Sequence, residues 1–555
     1  MTKILNADQN IKNNLNKCIT NKNQLVTNAS ALVSTLAELN INTVFGYPGA
    51  SVLSVYEELS KVSKIKHILV RHEQAAVHMA EGYAKISDKP AVVLVTSGPG
   101  VTNTITGIAN AYADSTPLIV LAGDIARNNC KGKIFQKVDI INLTKTCCKK
   151  NYLLTAKDDI KQILKEAYNI ANSGKKGPVV ITLPRNILES KYIEKTKKRK
   201  IFKREFEISN FEYRKIINLI KKSKSPLILL GGGAINSVEN IDKLVNLTKI
   251  PVISTLMGIG TFPSTNPLYL GMIGINGSYP ANTAINSADL VLAFGVSFSD
   301  RTTCKNNKFM PNAKIVNINI KKSSKKFDTE IIYDSNEFIH NLLKKINPKN
   351  IPNLNSWYKK IQTLKEENNT KDSEKKYLQS SKVLDIISQV TQNLNPIVVT
   401  DVGQHQLLTA QYFNFNQPKK FVTSGGLGTM GFGLPAAIGA HIANPKSLVL
   451  NITGDGSFQM NLQELATCRE HNIPIKIIIL NNGYLGMVRQ LQEHIYNNRY
   501  QVEMINPDFT KIAEAYDLCA FRVTKSEEII PALQKAISID KTVIIDIAID
   551  SFEEI

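Results

Sequence analysis

Short apolar runs recur along the chain, and most of them end at or near Gly, Ser, Asp or Asn. Runs of this length with little polar alternation are typical of strands that are buried on both faces of a parallel sheet. Amphipathic stretches between the runs predict helices, for example at 73–86, 462–470 and 508–516. The predicted strands are 65–70, 91–97, 118–123, 179–183, 227–231, 290–295, 315–320, 397–403, 448–454, 475–481 and 543–549. This alternation predicts the α/β class, with three consecutive doubly wound parallel-sheet domains.

Two charged segments with few apolar residues, 192–206 and 350–377, interrupt the pattern, and we interpret both as connections between domains. They divide the chain into predicted domains at 26–190, 207–345 and 378–550. A chain of 555 residues is too long for one core and long enough for three.

The first 25 residues are polar and rich in Asn and Lys, and we interpret them as a frayed extension. They lack the apolar core of a secretion signal and the Arg-rich pattern of a transit peptide. We therefore expect a cytoplasmic location, with a plastid as the lesser alternative.

Composition narrows the possible partners. The formal net charge is +21, but the Lys residues are scattered, so a solvated surface is a better interpretation than a nucleic-acid site. No apolar run approaches the roughly 20 residues needed to cross a bilayer, and we expect no membrane partner. The seven Cys show no metal-ligand spacing, which fits a reducing setting.

The strongest chemical signal runs from Gly454 to Asn482. Asp455 and Gly456 lie in a Gly-flanked turn after one predicted strand, and Asn482 follows the next. An Asp and an Asn in these places can both reach one divalent cation, while the Gly-rich backbone can approach a diphosphate. The segment predicts a Mg²⁺–diphosphate site at the end of a parallel sheet.

Two further segments have related patterns. Gly403 allows close backbone approach, and Gln404 and His405 offer donors to phosphate oxygens, although polar residues follow most parallel strands. The segment 424–431 has four Gly in eight residues with Met430 inside it. A large apolar side chain in such a loop could wedge against a ligand.

Glu73 lies in Arg71-His72-Glu73-Gln74, where a predicted strand ends and a helix begins. It is either an acidic residue that favours a helix N-terminus or a group that binds a cofactor ring nitrogen. Gly49 lies in a preceding tight turn, Gly46-Tyr47-Pro48-Gly49-Ala50, whose backbone N–H groups could face a ligand.

Together these motifs resemble the thiamine-diphosphate enzymes, and in particular the family of acetolactate synthase (acetohydroxyacid synthase) large catalytic subunits. The resemblance covers nearly all of the chain, from about Leu25 to Asp550. Its most specific motifs are 44–49, 71–74, 254–258, 424–435 and Asn481-Asn482-Gly483-Tyr484-Leu485-Gly486-Met487-Val488.

The resemblance implies roles for individual residues. Glu73 would bind the aminopyrimidine ring nitrogen and favour the imino tautomer that takes the thiazolium proton. Gln136 would handle substrate and intermediate, although alone it reads as a surface loop amide. The remaining cofactor residues would be Gly49, Gly428 and Met430 on the pyrimidine side, Val402, Gly403, Gln404, His405, Gly456 and Ser457 on the diphosphate, and Asp455, Asn482 and the Tyr484 carbonyl on Mg²⁺.

The implied reaction joins a two-carbon unit from pyruvate to a second 2-oxoacid, pyruvate or 2-oxobutyrate, at the start of valine, leucine and isoleucine synthesis. Because Glu73 and the Mg²⁺ site lie in different domains and meet across subunits in the family, a homodimer or tetramer is implied. A small regulatory subunit is a possible further partner. Open alternatives are another thiamine-diphosphate decarboxylase or carboligase, and a non-catalytic assembly partner.

The middle domain resembles the FAD-binding domain of the family. The matching positions are Gly231, Gly232, Gly233, Thr255, Leu256, Met257, Gly274, Gly295, Asp300 and Arg301. Several expected FAD contacts are replaced, with Ile273, Ser297, Asn319 and Lys321 where His, Arg and acidic residues are usual. FAD is therefore expected less firmly than thiamine diphosphate, and the alternative is a Gly-rich domain that binds nothing.

One departure concerns specificity. The Trp usual in this family's Arg-Gln-Trp-Gln motif is Leu491 here. Because that Trp favours the larger 2-oxobutyrate, we expect a weaker preference for this acceptor.

Overall fold

A computed structural model describes residues 26–127, 133–194, 208–303, 310–369 and 378–555. The predicted N-terminal extension, most of the 192–206 connection and residues 370–377 lie outside the described residues. The described part contains three six-stranded sheets in which all neighbouring strands are parallel, so the predicted α/β class with three parallel-sheet domains is confirmed.

The N-terminal sheet has the strand order β2-β1-β3-β4-β6-β5. Its strands are β1 (Thr43–Tyr47), β2 (Lys66–Leu69), β3 (Ala91–Val95), β4 (Leu118–Asp124), β5 (Lys150–Leu153) and β6 (Val179–Pro184). Its helices are α1 (Asn28–Glu38), α2 (Leu53–Ser60), α3 (Glu73–Ser87), α4 (Pro99–Thr102), α5 (Ile105–Ala113), α6 (Ile140–Thr144), α7 (Ile160–Asn172) and α8 (Arg185–Leu188), with a 3₁₀ turn at Ala50–Val52.

The central sheet has the order β12-β11-β10-β7-β8-β9, which reverses direction between β7 and β10 as in dinucleotide-binding folds. Its strands are β7 (Pro226–Leu230), β8 (Val252–Ser254), β9 (Tyr269–Met272), β10 (Leu290–Phe294), β11 (Lys314–Asn319) and β12 (Thr329–Ile332). Its helices are α9 (Asn210–Lys222), α10 (Val238–Thr248), α11 (Tyr279–Ser287), α12 (Asp300–Thr303), α13 (Ser335–Leu343) and α14 (Asn355–Asn369), with 3₁₀ turns at Gly232–Ala234, Leu256–Gly258 and Pro348–Asn350.

The interpretation of 350–377 as a connection is wrong for α14. Trp357, Ile361 and Leu364 are buried in the core of the central domain, and the Trp357 Nε1 donates to the Pro226 carbonyl at 3.1 Å. These apolar residues are spaced as one face of a helix, so the charged residues between them lie on its outer side.

The C-terminal sheet has the order β14-β13-β15-β16-β18-β17, which is the same relative order as in the N-terminal sheet. Its strands are β13 (Ile397–Thr400), β14 (Phe421–Val422), β15 (Val449–Gly454), β16 (Lys476–Asn481), β17 (Cys519–Val523) and β18 (Val543–Ala548). Its helices are α15 (Ser380–Thr391), α16 (Gln404–Tyr412), α17 (Gly433–Ala443), α18 (Asp455–Gln459), α19 (Leu465–Glu470), α20 (Gly486–Tyr496), α21 (Phe509–Ala515) and α22 (Ser526–Ser538), with 3₁₀ turns at Gln392–Leu394 and Leu462–Glu464.

The N-terminal and C-terminal domains share one apolar core, because α3 packs directly on α17. At this crossing a methyl group on Gly82 would overlap the Ala436 carbonyl oxygen, and one on Gly439 would overlap the Met79 carbonyl oxygen. The two glycines therefore allow a backbone-to-backbone approach from both sides. The helices are topologically equivalent, since each follows the second strand of its domain.

Every run predicted as a strand contains one, with ends that differ by at most three residues. The helix predicted at 462–470 is divided into the 3₁₀ turn at Leu462–Glu464 and α19. Within the described ranges, no helix is both long enough and apolar enough to cross a bilayer.

Candidate active site

The predicted metal residues lie at the carboxyl ends of two neighbouring strands. Asp455 follows β15 and Asn482 follows β16, and parallel pairing brings these ends together. The Asp455 Oδ2 accepts from the Gly483 N–H at 3.0 Å and from Asn506 Nδ2 at 2.5 Å. Asn482 Oδ1 accepts from the Tyr484 N–H at 3.0 Å. Asp455 therefore bonds the turn that contains Asn482 and Tyr484.

Burial is the main cause that raises the pKa of Asp455. A cation beside this carboxylate would offset its loss of hydration. Across the described ranges, His, Cys, Asp and Glu form no group of three or more with metal-ligand geometry. A cation at Asp455 would therefore need most of its oxygen ligands from Asn482, backbone, water and a bound phosphate.

His405 lies between Gly403, which follows β13, and Gly454, which is the last residue of β15. A methyl group on Gly454 would be 2.9 Å from the His405 Nδ1, and one on Gly403 would be 2.8 Å from its Cε1. Burial lowers the pKa of His405 to about 3, so the ring is neutral. Its Nε2 is buried and has no hydrogen-bond partner among the described residues. An unpartnered buried ring nitrogen beside two Gly-rich strand ends indicates that a polar group of a ligand fills this position.

Other predicted diphosphate residues surround this position. Ser457 Oγ lies 3.2 Å from Thr453 Oγ1, and a methyl on Gly456 would contact the Met504 sulfur at 3.0 Å. The Val402 N–H donates to Asp401 Oδ1 at 2.8 Å. The Gln404 side-chain amide is already engaged, because its Nε2 donates to the Glu553 carbonyl at 3.1 Å.

The Gly-rich loop 424–431 is fixed by the N-terminal domain of the same chain. Asp114 accepts the N–H of Gly426 at 2.6 Å and that of Gly425 at 3.2 Å. Lys85 Nζ donates to Asp114 Oδ2 at 2.7 Å and to the Thr423 carbonyl at 2.6 Å. The loop that carries Gly428 and Met430 is thus held by a largely buried ion pair.

A second buried network holds the same loop. Asn110 Oδ1 accepts from Ser424 Oγ at 2.5 Å and from Thr429 Oγ1 at 3.1 Å. Asn110 Nδ2 in turn donates to Glu81 Oε2 at 2.8 Å, and His78 Nδ1 lies 2.9 Å from Glu81 Oε1. Sequence reasoning missed these residues, although polar side chains at positions 74, 78, 81 and 85 form one stripe on the otherwise apolar α3.

Asp401 holds the other end of the loop. Its carboxylate accepts from the Gly431 N–H at 2.9 Å and from the Gly433 N–H at 2.8 Å. Burial raises the pKa of Asp401 to about 6, which these hydrogen bonds partly oppose.

The predicted N-terminal residues meet where β1, β2 and β3 end. Gly49 packs against Thr96, and the Ser97 N–H donates to Ser51 Oγ at 2.9 Å. Ser97 Oγ donates to Gln136 Oε1 at 3.2 Å, and Gln136 has a positive φ of 59°. Asn103 Nδ2 donates to Glu73 Oε2 at 2.9 Å.

The predicted residues form two half-sites, each at the carboxyl edge of a sheet. The N-terminal half-site contains Glu73 and Gln136, and the C-terminal half-site contains Gly428, Asp455 and Asn482. In the described part of the chain, no hydrogen bond joins Glu73 or Gln136 to Gly428, Asp455 or Asn482. The contacts of one chain bring together each half but leave the two halves without a direct bond.

In the central domain, the predicted FAD positions share one sheet edge. Gly231 and Gly233 pack against Gly295 so closely that no side chain fits between them. The turn at Thr255, Leu256 and Met257 covers Gly232, and a methyl on Gly232 would be 3.1 Å from the Met257 Cβ. These positions follow β7, β8 and β10, which flank the point where the strand order reverses.

The remaining FAD positions are Gly274, Asp300 and Arg301. The Ile275 N–H donates to the Arg301 carbonyl at 2.9 Å, which brings Gly274 beside α12. The Arg301 Nη1 would be 3.9 Å from a methyl on Gly428, so this guanidinium lies near the C-terminal half-site. Asn319, where an acidic residue is usual, donates its Nδ2 to the Val296 carbonyl at 2.8 Å.

Comparison with known protein families accounts for all three domains. The chain matches the families "Thiamine pyrophosphate enzyme, N-terminal TPP binding domain" over residues 26–143, "Thiamine pyrophosphate enzyme, central domain" over 213–342 and "Thiamine pyrophosphate enzyme, C-terminal TPP binding domain" over 401–547. With the three sheets and their strand-end residues, these matches define a thiamine pyrophosphate (thiamine diphosphate) enzyme.

Similar proteins narrow this class. The acetolactate synthase large subunit of Buchnera aphidicola subsp. Schizaphis graminum is 39% identical, over 96% of each chain. The isozyme 3 large subunit of Escherichia coli is 36% identical, again over 96% of each chain. Acetolactate synthase 3, chloroplastic, of Brassica napus is 37% identical over 94% of this chain and 83% of its own. The chain therefore belongs to the family of acetolactate synthase large subunits.

Proposed function

We propose that the chain is the catalytic subunit of an acetolactate synthase. It decarboxylates pyruvate and joins the two-carbon unit to a second 2-oxoacid, which is pyruvate or 2-oxobutyrate. This would be the first common step of branched-chain amino-acid synthesis. The observation that carries the proposal is the pair of half-sites at the carboxyl edges of two sheets with the same strand order.

Thiamine diphosphate supplies the thiazolium that stabilises negative charge on the two-carbon unit. In this proposal Glu73 bonds the pyrimidine ring nitrogen through Oε1, since Oε2 accepts from Asn103. Gly428 and Met430 hold the opposite side of the ring. Gln136, in the segment that follows β4, faces the substrate beside Ser97. The neutral His405, the backbone of Gly456 and the hydroxyl of Ser457 bind the diphosphate.

Mg²⁺ is proposed on Asp455, Asn482 and the Tyr484 carbonyl. The carboxylate lies 2.5 Å from Asn506 Nδ2, which orients it towards the end of β16. Gly403 and Gln404 contribute backbone N–H groups at the start of α16, where a negative phosphate is favoured. Val402 lies beside them, and its own N–H is held by Asp401 Oδ1.

We assign Arg301 to the substrate rather than to FAD alone. Its guanidinium lies beside Gly428, on the rim of the proposed pyrimidine site. A guanidinium there can bind the carboxylate of a 2-oxoacid with two parallel hydrogen bonds. Arg301→Lys would keep the charge but lose this paired geometry, so KM for pyruvate should rise more than kcat falls.

The active unit is proposed to be a homodimer or a tetramer of it, as the resemblance to the acetolactate synthase family implies. In a dimer the Glu73 half of one protomer would face the Asp455 half of its partner. The relatives named large subunits imply a small regulatory subunit in those proteins, and we extend this partner to the present chain as a proposal. A cytoplasmic location is likewise proposed, and fractionation of the source cells would test it.

FAD is proposed for the edge of the central sheet that Gly231, Gly295 and Thr255 form. The close glycine packing fits a dinucleotide, whereas the amide of Asn319 replaces an acidic acceptor and already bonds the chain itself. Absorbance of the purified protein near the flavin bands tests this directly. A colourless protein with full activity would remove FAD as a requirement.

The deciding experiment measures acetolactate from pyruvate, thiamine diphosphate and Mg²⁺, with and without FAD. Glu73→Gln is the matched control, since it keeps shape and removes the charge, and it should lose nearly all turnover. Release of free aldehyde instead of acetolactate would identify a 2-oxoacid decarboxylase. A Glu73→Gln chain that still supports growth without branched-chain amino acids would identify a non-catalytic partner.

A further inference from the structure

The segment Arg71–Glu73 is held from two sides by residues without a role in the proposed reaction. Asn103 directly follows α4 in the same domain, and it donates Nδ2 to Glu73 Oε2 at 2.9 Å. Glu464 lies in the C-terminal domain, and its Oε1 accepts the Arg71 N–H at 2.9 Å. One contact therefore acts on the Glu73 carboxylate, and the other acts on the backbone two residues before it.

The C-terminal domain makes three further contacts with this strand end. The His72 N–H also bonds the Glu464 carboxylate. Thr467 Oγ1 lies 3.2 Å from the Leu69 carbonyl and 2.7 Å from Glu464 Oε2. The Arg71 guanidinium pairs with Glu470 at 2.6 Å, so the side chain of Arg71 is engaged elsewhere.

Glu464 is an unusual group to place here. It is fully buried, and burial raises its pKa to about 7. Its hydrogen bonds from Thr467 and from two backbone N–H groups offset only part of the cost of burying a carboxylate. Such a group destabilises the fold in its charged form, which argues for a role other than stability.

We propose that Asn103 and Glu464 are positioning residues for Glu73. Asn103 fixes the rotation of the carboxylate so that Oε1 is presented to the pyrimidine ring nitrogen. Glu464 fixes the backbone from which α3, and therefore Glu73, begins. The inference rests on the proposed function, because it requires that Glu73 contacts the cofactor.

The test compares the affinity of the full-length chain for thiamine diphosphate and for a pyridyl analogue. In the analogue, carbon replaces the pyrimidine ring nitrogen that Glu73 is proposed to bond. The wild-type chain should bind the analogue about tenfold or more weakly, since it loses a hydrogen bond to a charged group. In Asn103→Ala and Glu464→Ala the ratio of the two dissociation constants, analogue over thiamine diphosphate, should fall to about threefold or less. The reason is that a misplaced carboxylate no longer forms a hydrogen bond with the ring nitrogen. Glu464→Gln keeps one acceptor oxygen and should give an intermediate ratio.

Thr102→Ala is the matched control for Asn103, because Thr102 is adjacent and exposed and its hydroxyl donates to the Pro99 carbonyl within α4. Arg469→Gln serves the same purpose for Glu464, since it removes an exposed ion pair with Asp517 from α19, the helix that directly follows Glu464. Both controls should keep the wild-type ratio. If a variant unfolds, its Glu464→Gln or Asn103→Ser counterpart is measured instead.

Two outcomes would overturn the proposal, and they differ in what else they affect. Equal binding of thiamine diphosphate and the pyridyl analogue by the wild-type chain would show that Glu73 does not contact the ring nitrogen. This result would overturn the proposed function of Glu73 as well. A wild-type ratio that persists unchanged in folded Asn103→Ala and Glu464→Ala would overturn the positioning role alone.

Discussion

Asp114, at the end of α5 in the N-terminal domain, accepts the backbone N–H of Gly426 in the C-terminal domain at 2.6 Å. This bond crosses 312 positions of sequence and fixes the loop that carries Gly428 and Met430. Lys85 completes the arrangement by bonding both Asp114 and the Thr423 carbonyl. The proposed pyrimidine site of the C-terminal domain thus depends on residues of another domain.

Asp114→Asn should weaken thiamine diphosphate binding about tenfold, because it removes a charged acceptor of two backbone N–H groups and leaves Lys85 without its counter-ion. Calorimetric titration of the cofactor measures the change. Asp88→Asn is the control, since Asp88 pairs with Lys176 and Lys419 rather than with the 424–431 loop. An unchanged Kd in Asp114→Asn would show that the loop holds its shape without this bond.

Asn506→Ala should lower the affinity for Mg²⁺ by about 10-fold, as is typical when a residue that orients a metal ligand is removed. Asn506 holds both Asp455 Oδ2 and Asn481 Oδ1. The Mg²⁺ concentration that gives half-maximal cofactor binding is the readout, and Asn498→Ala in the exposed loop provides the control. Equal Mg²⁺ requirements in the wild type, in Asn506→Ala and in Asn498→Ala would argue against a metal at Asp455.

Leu491→Trp should raise the preference for 2-oxobutyrate over pyruvate about fivefold or more, because a larger apolar surface favours the extra methylene group. Leu491 is about half exposed on α20 and so has room for the larger ring. Competition between the two acceptors, with both products measured, gives the ratio. Ile495→Trp places the same ring one helical turn further on and should leave the ratio unchanged. A strong wild-type preference for 2-oxobutyrate would contradict the role given to Leu491.

Glu464→Gln should change how stability depends on pH. The folded-state pKa of Glu464 is raised from 4.5 to about 7, so the native state binds its proton more tightly than the unfolded chain. The free energy of unfolding therefore falls by about 3 kcal/mol as pH rises from 4.5 through 7. The Gln variant lacks this contribution, and its stability relative to the wild type should rise over the same range.

Urea midpoints of the two chains, measured side by side from pH 5 to pH 8, report this difference. Asp401 has a raised pKa of the same sign, but it is present in both chains and cancels. Parallel curves would mean that Glu464 ionises normally in the native state.

Much of the fold follows from local sequence. The buried strands β4, β10 and β16 are almost wholly apolar, so their place and extent were predicted closely. Asp455 and Asn482 were predicted to meet because the carboxyl ends of neighbouring parallel strands adjoin. By contrast, Trp357, Ile361 and Leu364 were overlooked, since charged residues hide their helical spacing in α14.

The contacts that tune the site could not be predicted in the same way. Asn506 reaches Asp455 from a loop 51 residues later, and Glu464 reaches Arg71 across 393 positions. The first pair depends on how a loop of the C-terminal domain folds back onto its own sheet, and the second depends on how two domains dock. Neither Asn506 nor Glu464 lies in a motif that predicts its contact. The polar stripe on α3 was the one visible sign that this helix has a polar interface.

The reciprocal crossing of α3 and α17 has a consequence for how such a chain can evolve. Because Gly82 meets a carbonyl of α17 and Gly439 meets a carbonyl of α3, main-chain atoms of the two helices come into contact at both glycines. Glu73 begins one of these helices, and the loop with Met430 leads into the other. Side chains around the proposed site are therefore freer to change than these two glycines, because any side chain at position 82 or 439 would push the two helices apart.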